Sequence, residues 1–120
     1  MKVKSVLCRQ INDDIGTVEL AEIDLAPPGP GELCVRLKAC AINFPDLLMI
    51  QGKYQFRPPL PFSPGTEAAG EVESVGTGVS GYSEGDSVIV SMRFGGFSEA
   101  IIVSESEVKK MPENMTYAQA

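Results

Sequence analysis

The chain has 120 residues, 43% of them hydrophobic, and a net charge of −6 from 10 basic and 16 acidic residues. This length supports one domain with a modest core and is too short for two. The acidic balance, without clusters of Lys and Arg, argues against nucleic acid or an anionic membrane as a partner, because both attract clustered positive charge.

The hydropathy pattern predicts a cytoplasmic protein. No stretch approaches the roughly 20 apolar residues that a membrane-spanning helix requires. Residues Met1–Lys4 lead directly into a strand pattern and lack the apolar segment of a signal peptide.

Cys8, Cys34 and Cys40 are the only cysteines, and the chain has no histidine. Their odd number and the absence of a C-x-x-C pair favour reduced, buried thiols over a disulfide framework. A zinc site of the usual kind needs three or four converging Cys, His or carboxylate ligands. We therefore predict no metal site and no histidine-based catalytic triad.

Alternating side chains predict two strands at the start of the chain. Residues 1–9 and 17–25 flank a turn at residues 12–14. The alternation breaks near Ala21, which predicts a β-bulge in the second strand. Residues 26–31 contain three prolines and two glycines, and we expect a rigid connector there.

A long period-two pattern over residues 32–42 predicts a strand that runs into a polar corner. Asn43 ends the strand, and a proline and Asp46 occupy the first turn of a short helix. Gly52 ends this helix just before Tyr54. The pattern therefore brings an amide, a carboxylate and a phenol to one strand-to-helix junction.

The second half of the chain predicts further short strands separated by turns. Four prolines make residues 57–65 an extended loop. Strands are predicted over residues 66–75, 87–91, 97–103 and 108–111.

Residues 76–81 match the G-x-G-x-x-G pattern of dinucleotide-binding sites. That fingerprint requires a preceding strand and a following helix. Here turn residues and then the strand over 87–91 follow, so we interpret the glycines as a hairpin-like loop.

Thr116 resembles an N-cap with a helix beginning at Tyr117. Because that helix has barely begun at Ala120, we expect the chain to be a fragment of a longer protein. About seven strands with one or two short helices predict a mainly β, barrel-like domain.

Each candidate site residue also has a structural interpretation. Asn43 could bind a ligand or satisfy backbone groups at the turn, and Asp46 could simply cap the helix. Tyr54 could donate to a substrate oxygen or cover the core. Glu67 needs either a partner or contact with water.

A resemblance to a known family rests on five segments, which are PGPGE at 28–32, ACAINFPDLLMIQGKY at 39–54, PGTEAAGEVESVGTGV at 64–79, GDSVIV at 85–90 and GGFSEAIIV at 95–103. Together they resemble the N-terminal, GroES-like domain of the medium-chain dehydrogenase/reductase superfamily. The resemblance implies a partly open β-barrel over residues 1–120. It also implies that a Rossmann domain and a C-terminal return segment complete the intact enzyme.

Zinc alcohol dehydrogenases of this superfamily have a cysteine ligand at the position of Asn43 and a histidine ligand at that of Thr66. The chain therefore resembles the zinc-independent quinone oxidoreductases. This resemblance implies hydride transfer from NADPH to a quinone or another conjugated carbonyl, in a homodimer. It makes Asn43, Asp46 and Tyr54 catalytic candidates, and Asn43 and Glu67 candidate cofactor contacts.

Two alternatives remain open at this stage. An enoyl-thioester reductase of the same superfamily would use a tyrosine at the position of Tyr54 as a proton donor. A non-enzymatic GroES-like module would need a long mobile apolar loop, for which the proline-rich residues 57–65 are a poor candidate.

Overall fold

The computed structural model describes all residues from 1 to 120 and is built mainly from strands. Two short 3-10 turns lie at Ile15–Thr17 and Glu105–Glu107. The main elements are β1 (Lys2–Leu7), β2 (Glu19–Asp24), β3 (Glu32–Cys40), α1 (Phe44–Gln51), β4 (Glu67–Val75), β5 (Ser87–Ser91), β6 (Ala100–Ser104) and β7 (Val108–Lys110).

The strands form two antiparallel sheets that do not close into a complete barrel. β1 and β2 make a two-stranded sheet, and the five-stranded sheet has the order β6-β3-β4-β5-β7. The predicted mainly β, partly open architecture is confirmed. Apolar side chains from the larger sheet form the main core, which contains Leu33, Val35, Val72, Val88, Val90, Ile101, Val103 and Val108.

The small sheet packs on the opposite face of the larger one. Val3 of β1 forms a second cluster with Cys34 of β3 and Ala100 of β6. The cysteines are free thiols. Cys8 and Cys34 are buried, as predicted, whereas Cys40 is only half-buried. The first residues of β3 are therefore buried on both faces of the sheet, with Leu33 and Val35 in the main core and Cys34 in the second cluster.

The bulge predicted near Ala21 is wrong. β1 and β2 pair without interruption from Lys2 opposite Asp24 to Leu7 opposite Glu19. The alternation breaks because Leu20 points outward and is 68% exposed. The irregular pairing lies instead between β3 and β4, where the register shifts twice.

The glycine-rich residues 76–81 form a loop, as predicted. This loop leads from β4 to β5, and these two strands are antiparallel neighbours. The connection is therefore a hairpin without the helix that a dinucleotide fingerprint requires.

The C-terminal helix predicted to begin at Tyr117 is present only as a single turn over residues 117–119, in which the Ala120 N–H donates to the Thr116 carbonyl at 3.1 Å. The capping contacts are nevertheless present. The Thr116 hydroxyl accepts a hydrogen bond from the Gln119 backbone at 3.2 Å, and the Gln119 side chain accepts one from the Thr116 backbone at 3.0 Å. No helix in the structure has the length and apolarity needed to cross a membrane.

The pairing of β3 with β4 positions the candidate site. Cys40, at the end of β3, lies opposite Ala68, near the start of β4. The residues just after Cys40 and just before Ala68 therefore lie side by side, although α1 and the proline-rich loop separate them in sequence.

Candidate active site

Asn43 occupies the N-cap of α1, with an extended backbone at φ −120° and ψ 159°. The helix ends at Gly52, which has the left-handed conformation at φ 72°. A side chain there would also contact Ile11, since the nearest atom would lie at 2.6 Å. The predicted helix and its boundaries are thus confirmed to within one residue.

Asp46 is completely buried in the first turn of α1. One carboxylate oxygen accepts a hydrogen bond from the Asn43 backbone N–H at 2.8 Å, and the other accepts one from the Gly65 backbone N–H at 3.0 Å. The carboxylate therefore joins the start of the helix to the end of the proline-rich loop. These contacts fit a positioning role, and the catalytic role of Asp46 stays a prediction.

The Asn43 side chain points across to the start of β4. Its amide nitrogen donates to the Glu67 carboxylate at 3.0 Å and approaches the Thr66 hydroxyl oxygen at 3.4 Å. An ionised carboxylate only accepts hydrogen bonds, so the amide nitrogen must face Glu67. The two amide hydrogens thus face Glu67 and Thr66, and the amide oxygen is the acceptor of this side chain.

Thr66 connects this amide to the pocket of Tyr54. The Thr66 hydroxyl accepts from Asn43, so its own hydrogen is available to a ligand. Tyr54 is half-buried, and its phenol makes no hydrogen bond within the chain. A pocket of about 270 Å³ is lined by Met49, Tyr54, Gln55, Phe56, Thr66 and Arg93.

The largest cavity, about 570 Å³, lies elsewhere, between the two sheets. Its lining does not include Asn43, Tyr54 or Glu67, although Arg93 borders both this cavity and the Tyr54 pocket. The hydroxyl groups of Ser5, Ser98 and Ser63 in this cavity bond to one another or to backbone carbonyls. They therefore offer less unsatisfied hydrogen-bonding capacity than the smaller pocket at Tyr54.

Cys40 and Glu67 both border a separate cavity of about 300 Å³. Burial raises the pKa of the Cys40 thiol to about 11, and the negative charges of Asp46 and Glu67 act in the same direction. The thiol therefore stays protonated at neutral pH.

We expect Cys40 to react slowly with iodoacetamide despite its accessible edge. With a pKa of about 11, only about a thousandth of the thiol is ionised at pH 8, and thiolate is the reactive form. The alkylation rate should rise about tenfold per pH unit up to about pH 11. Mass spectrometry of wild type and Cys40→Ser would assign the rate, and a plateau below pH 9 would contradict the expectation.

No three His, Cys, Asp or Glu side chains lie together in an arrangement that could hold a metal ion. The two positions at which the zinc enzymes have ligands hold Asn43 and Thr66, whose side chains contact each other. Amide nitrogen and an alcohol are poor ligands for zinc, which prefers thiolate, imidazole and carboxylate.

Residues 29–113 match the family of the alcohol dehydrogenase GroES-like domain. The chain belongs to this family. The predicted resemblance is therefore confirmed, and it places the GroES-like domain described here among the medium-chain dehydrogenase/reductase proteins.

Two curated relatives and one crystal structure are similar to this chain over most of its length. The human synaptic vesicle membrane protein VAT-1 homolog is 46% identical over 105 residues, which cover 86% of this chain and 27% of that protein. Mouse quinone oxidoreductase-like protein 2 is 36% identical over 117 residues, which cover 98% and 33%. The human VAT-1 homolog-like protein has a TM-score of 0.92 and 32% identity, covering 98% of this chain and 38% of that one.

The chain thus spans about a quarter to a third of the length of these curated relatives.

Within the GroES-like domain, the structure brings Asn43 to Glu67 and places Tyr54 in one pocket with Thr66. Thr66 and Arg93 were not predicted as site residues. Thr66 could have been predicted, because it occupies the position of a zinc ligand in the related enzymes. Nothing in the local sequence indicated that Arg93 is a site residue.

Proposed function

We propose that this domain supplies the substrate pocket of a zinc-independent, NADPH-dependent oxidoreductase that transfers a hydride to a quinone or another conjugated carbonyl. One observation carries the proposal. The phenol of Tyr54 and the hydroxyl of Thr66 line the same pocket, and each has a hydrogen available for an acceptor. A carbonyl oxygen is the acceptor that such a pair suits.

The residues at the zinc-ligand positions support a reaction without zinc. Asn43 and Thr66 engage each other and Glu67, and neither presents a thiolate or imidazole. The developing charge on a substrate oxygen would then be stabilised by hydrogen-bond donors.

The surface beside Asn43 fits the proposed cofactor. Ile42 and Phe44, the neighbours of Asn43 in sequence, are 74% and 69% exposed. Such an apolar surface suits an aromatic ring, and the Asn43 oxygen can accept a hydrogen bond from an amide. The reduced nicotinamide, when bound, supplies the hydride, and we expect a further domain to hold most of the cofactor.

Hydride addition to a conjugated carbonyl leaves negative charge on its oxygen. The Tyr54 phenol and the Thr66 hydroxyl donate to that oxygen, and Tyr54 can pass it a proton. Glu67 and Asn43 act behind Thr66. Glu67 accepts one hydrogen of the Asn43 amide, and the other amide hydrogen then points to the Thr66 oxygen. The Thr66 hydroxyl hydrogen therefore points away from Asn43 and toward the pocket.

Tyr54→Phe in the full-length protein should lower kcat for p-benzoquinone reduction by about 10- to 100-fold. The variant keeps the ring and removes only the donor, and oxyanion donors contribute effects of this order. Thr66→Val should also lower kcat, and Thr66→Ser should restore most of it. Turnover is followed by the loss of NADPH absorbance.

Tyr82→Phe provides the matched control, because the Tyr82 hydroxyl donates to the Val108 carbonyl at 2.7 Å and does not line the pocket. It should retain turnover. Unchanged kcat in both Tyr54→Phe and Thr66→Val would sink the proposed roles. Faster reduction of an enoyl thioester than of a quinone would favour the reductase alternative.

A further inference from the structure

Arg93 is the only charged side chain that lines the Tyr54 pocket. The protein carries a net charge of −6, yet no carboxylate borders this pocket. Arg93, whose side chain is exposed, is therefore the one charged group at the edge of this pocket.

Arg93 is also the one arginine without a hydrogen bond or ion pair in the protein. Arg9 pairs with Glu19, and Arg36 pairs with Glu73 at 3.3 Å. Arg57 donates to the Gly52 carbonyl at 2.8 Å. All the N–H donors of Arg93 thus remain available for a bound molecule.

An aromatic stack holds the guanidinium of Arg93 at the pocket. Its central carbon lies 4.9 Å from the centroid of the Phe56 ring. Phe56 stacks on Phe94 with centroids 5.8 Å apart, and Phe94 contacts the buried Phe62 edge-on at 6.4 Å. The stack connects Arg93 to the core and limits the freedom that the side chain would lose when it binds a ligand.

We propose that Arg93 binds an anionic group on the substrate, so that the site prefers conjugated carbonyl compounds that also carry a carboxylate. This inference rests on the proposed function and adds a substrate class to it. The planar guanidinium can form two parallel hydrogen bonds with a carboxylate. Tyr54 and Thr66 line the same pocket and receive the carbonyl oxygen, so the two ends of one small molecule have separate partners.

The test compares acetylacrylate, a conjugated ketone with a carboxylate, with its methyl ester. In the full-length protein, Arg93→Met should lower the ratio of kcat/KM for the acid to kcat/KM for the ester by about tenfold. Comparing this ratio between the variant and wild type cancels the different intrinsic reactivities of the two probes. Arg93→Lys keeps the positive charge but cannot form two parallel hydrogen bonds. Its acid-to-ester ratio should therefore lie between those of Arg93→Met and wild type.

Arg9→Met is the control, since it removes an arginine outside the pocket and should leave the ratio unchanged. Equal losses for acid and ester in Arg93→Met, or no loss for either, would overturn the proposal. Either result would indicate that Arg93 does not bind the carboxylate and has a structural role or a role elsewhere in the protein.

A calorimetric titration with acetylacrylate separates this inference from the proposed function. If the protein reduces neither the probes nor p-benzoquinone, the proposed function fails. Binding of acetylacrylate that weakens about tenfold in Arg93→Met would still support an anion site at Arg93. Binding equal in the variant and wild type, or no binding to either, would reject that site.

Discussion

Asp46→Ala is expected to lower the free energy of unfolding by about 4 kcal/mol. Asp46 is completely buried, and its two carboxylate oxygens accept from the backbone of Asn43 and of Gly65. Each hydrogen bond to a charged group contributes about 1.5–3 kcal/mol, and the truncation leaves two buried N–H groups without a partner. Urea unfolding followed by far-ultraviolet circular dichroism is the appropriate measurement, since the chain has no tryptophan.

Asp46→Asn tests the same contacts with almost no change in shape. Its amide oxygen can replace one acceptor, whereas its NH₂ group opposes the second backbone donor, so we expect about half the loss. Asp86→Ala is the control, because the Asp86 side chain accepts from the Ser83 backbone in an exposed turn and should cost about 1 kcal/mol or less. Equal effects of Asp46→Ala and Asp86→Ala would show that the two hydrogen bonds of Asp46 contribute no special stability.

Gly70→Ala is expected to cost about 3 kcal/mol or more. A Cβ atom on Gly70 would overlap the Arg36 carbonyl oxygen and lie 2.9 Å from the Cα of Leu37. Both contacts are with the backbone of β3, which cannot rotate away as a side chain can. The two central strands would have to separate locally, and overpacking of this kind costs about 1–3 kcal/mol, occasionally more.

Gly81→Ala is the control for Gly70→Ala. A Cβ atom on Gly81 meets nothing within 4 Å, and its backbone lies outside the left-handed region. Alanine should therefore be neutral or stabilise the protein by about 0.4–1 kcal/mol, by restricting the unfolded chain. The same urea unfolding experiment serves both variants, and a loss in Gly81→Ala as large as in Gly70→Ala would rule out the steric explanation.

Local chemistry was sufficient to predict most elements of the fold. Proline, a helix-capping residue and Gly52 set the limits of α1, and turn residues after the glycine-rich loop excluded a dinucleotide site. β5 was predicted with its observed bounds, Ser87–Ser91. These features depend on neighbours in sequence, which is why a single chain predicts them.

The errors arose where distant segments decide the outcome. Leu20 interrupts the alternation because it is exposed beside a regular pairing with β1. Only the pairing of β2 with β1 in the folded protein distinguishes an exposed Leu20 from a β-bulge. Arg93 gains its significance from Phe56, which lies 37 positions earlier in the chain, and no spacing rule connects the two. Likewise, only the contact with Asn43 shows that the Thr66 hydroxyl accepts on one side and has its hydrogen available for a ligand.

The bond between Asp46 and the backbone of Gly65 closes the base of a chain excursion that leaves the larger sheet after β3 and returns at β4. This excursion carries Tyr54 and Phe56, whereas Thr66 and Arg93 lie outside it. Met49, Ile50 and Phe62 pack with Cys8 in a buried cluster and hold the two sides of the excursion in place. Divergence that leaves the strand register unchanged is therefore expected at its tip, residues 53–57. The fold thus contains an exchangeable cassette, through which evolution or engineering could change substrate choice while the hydrogen-bonding groups at Asn43 and Thr66 stay in place.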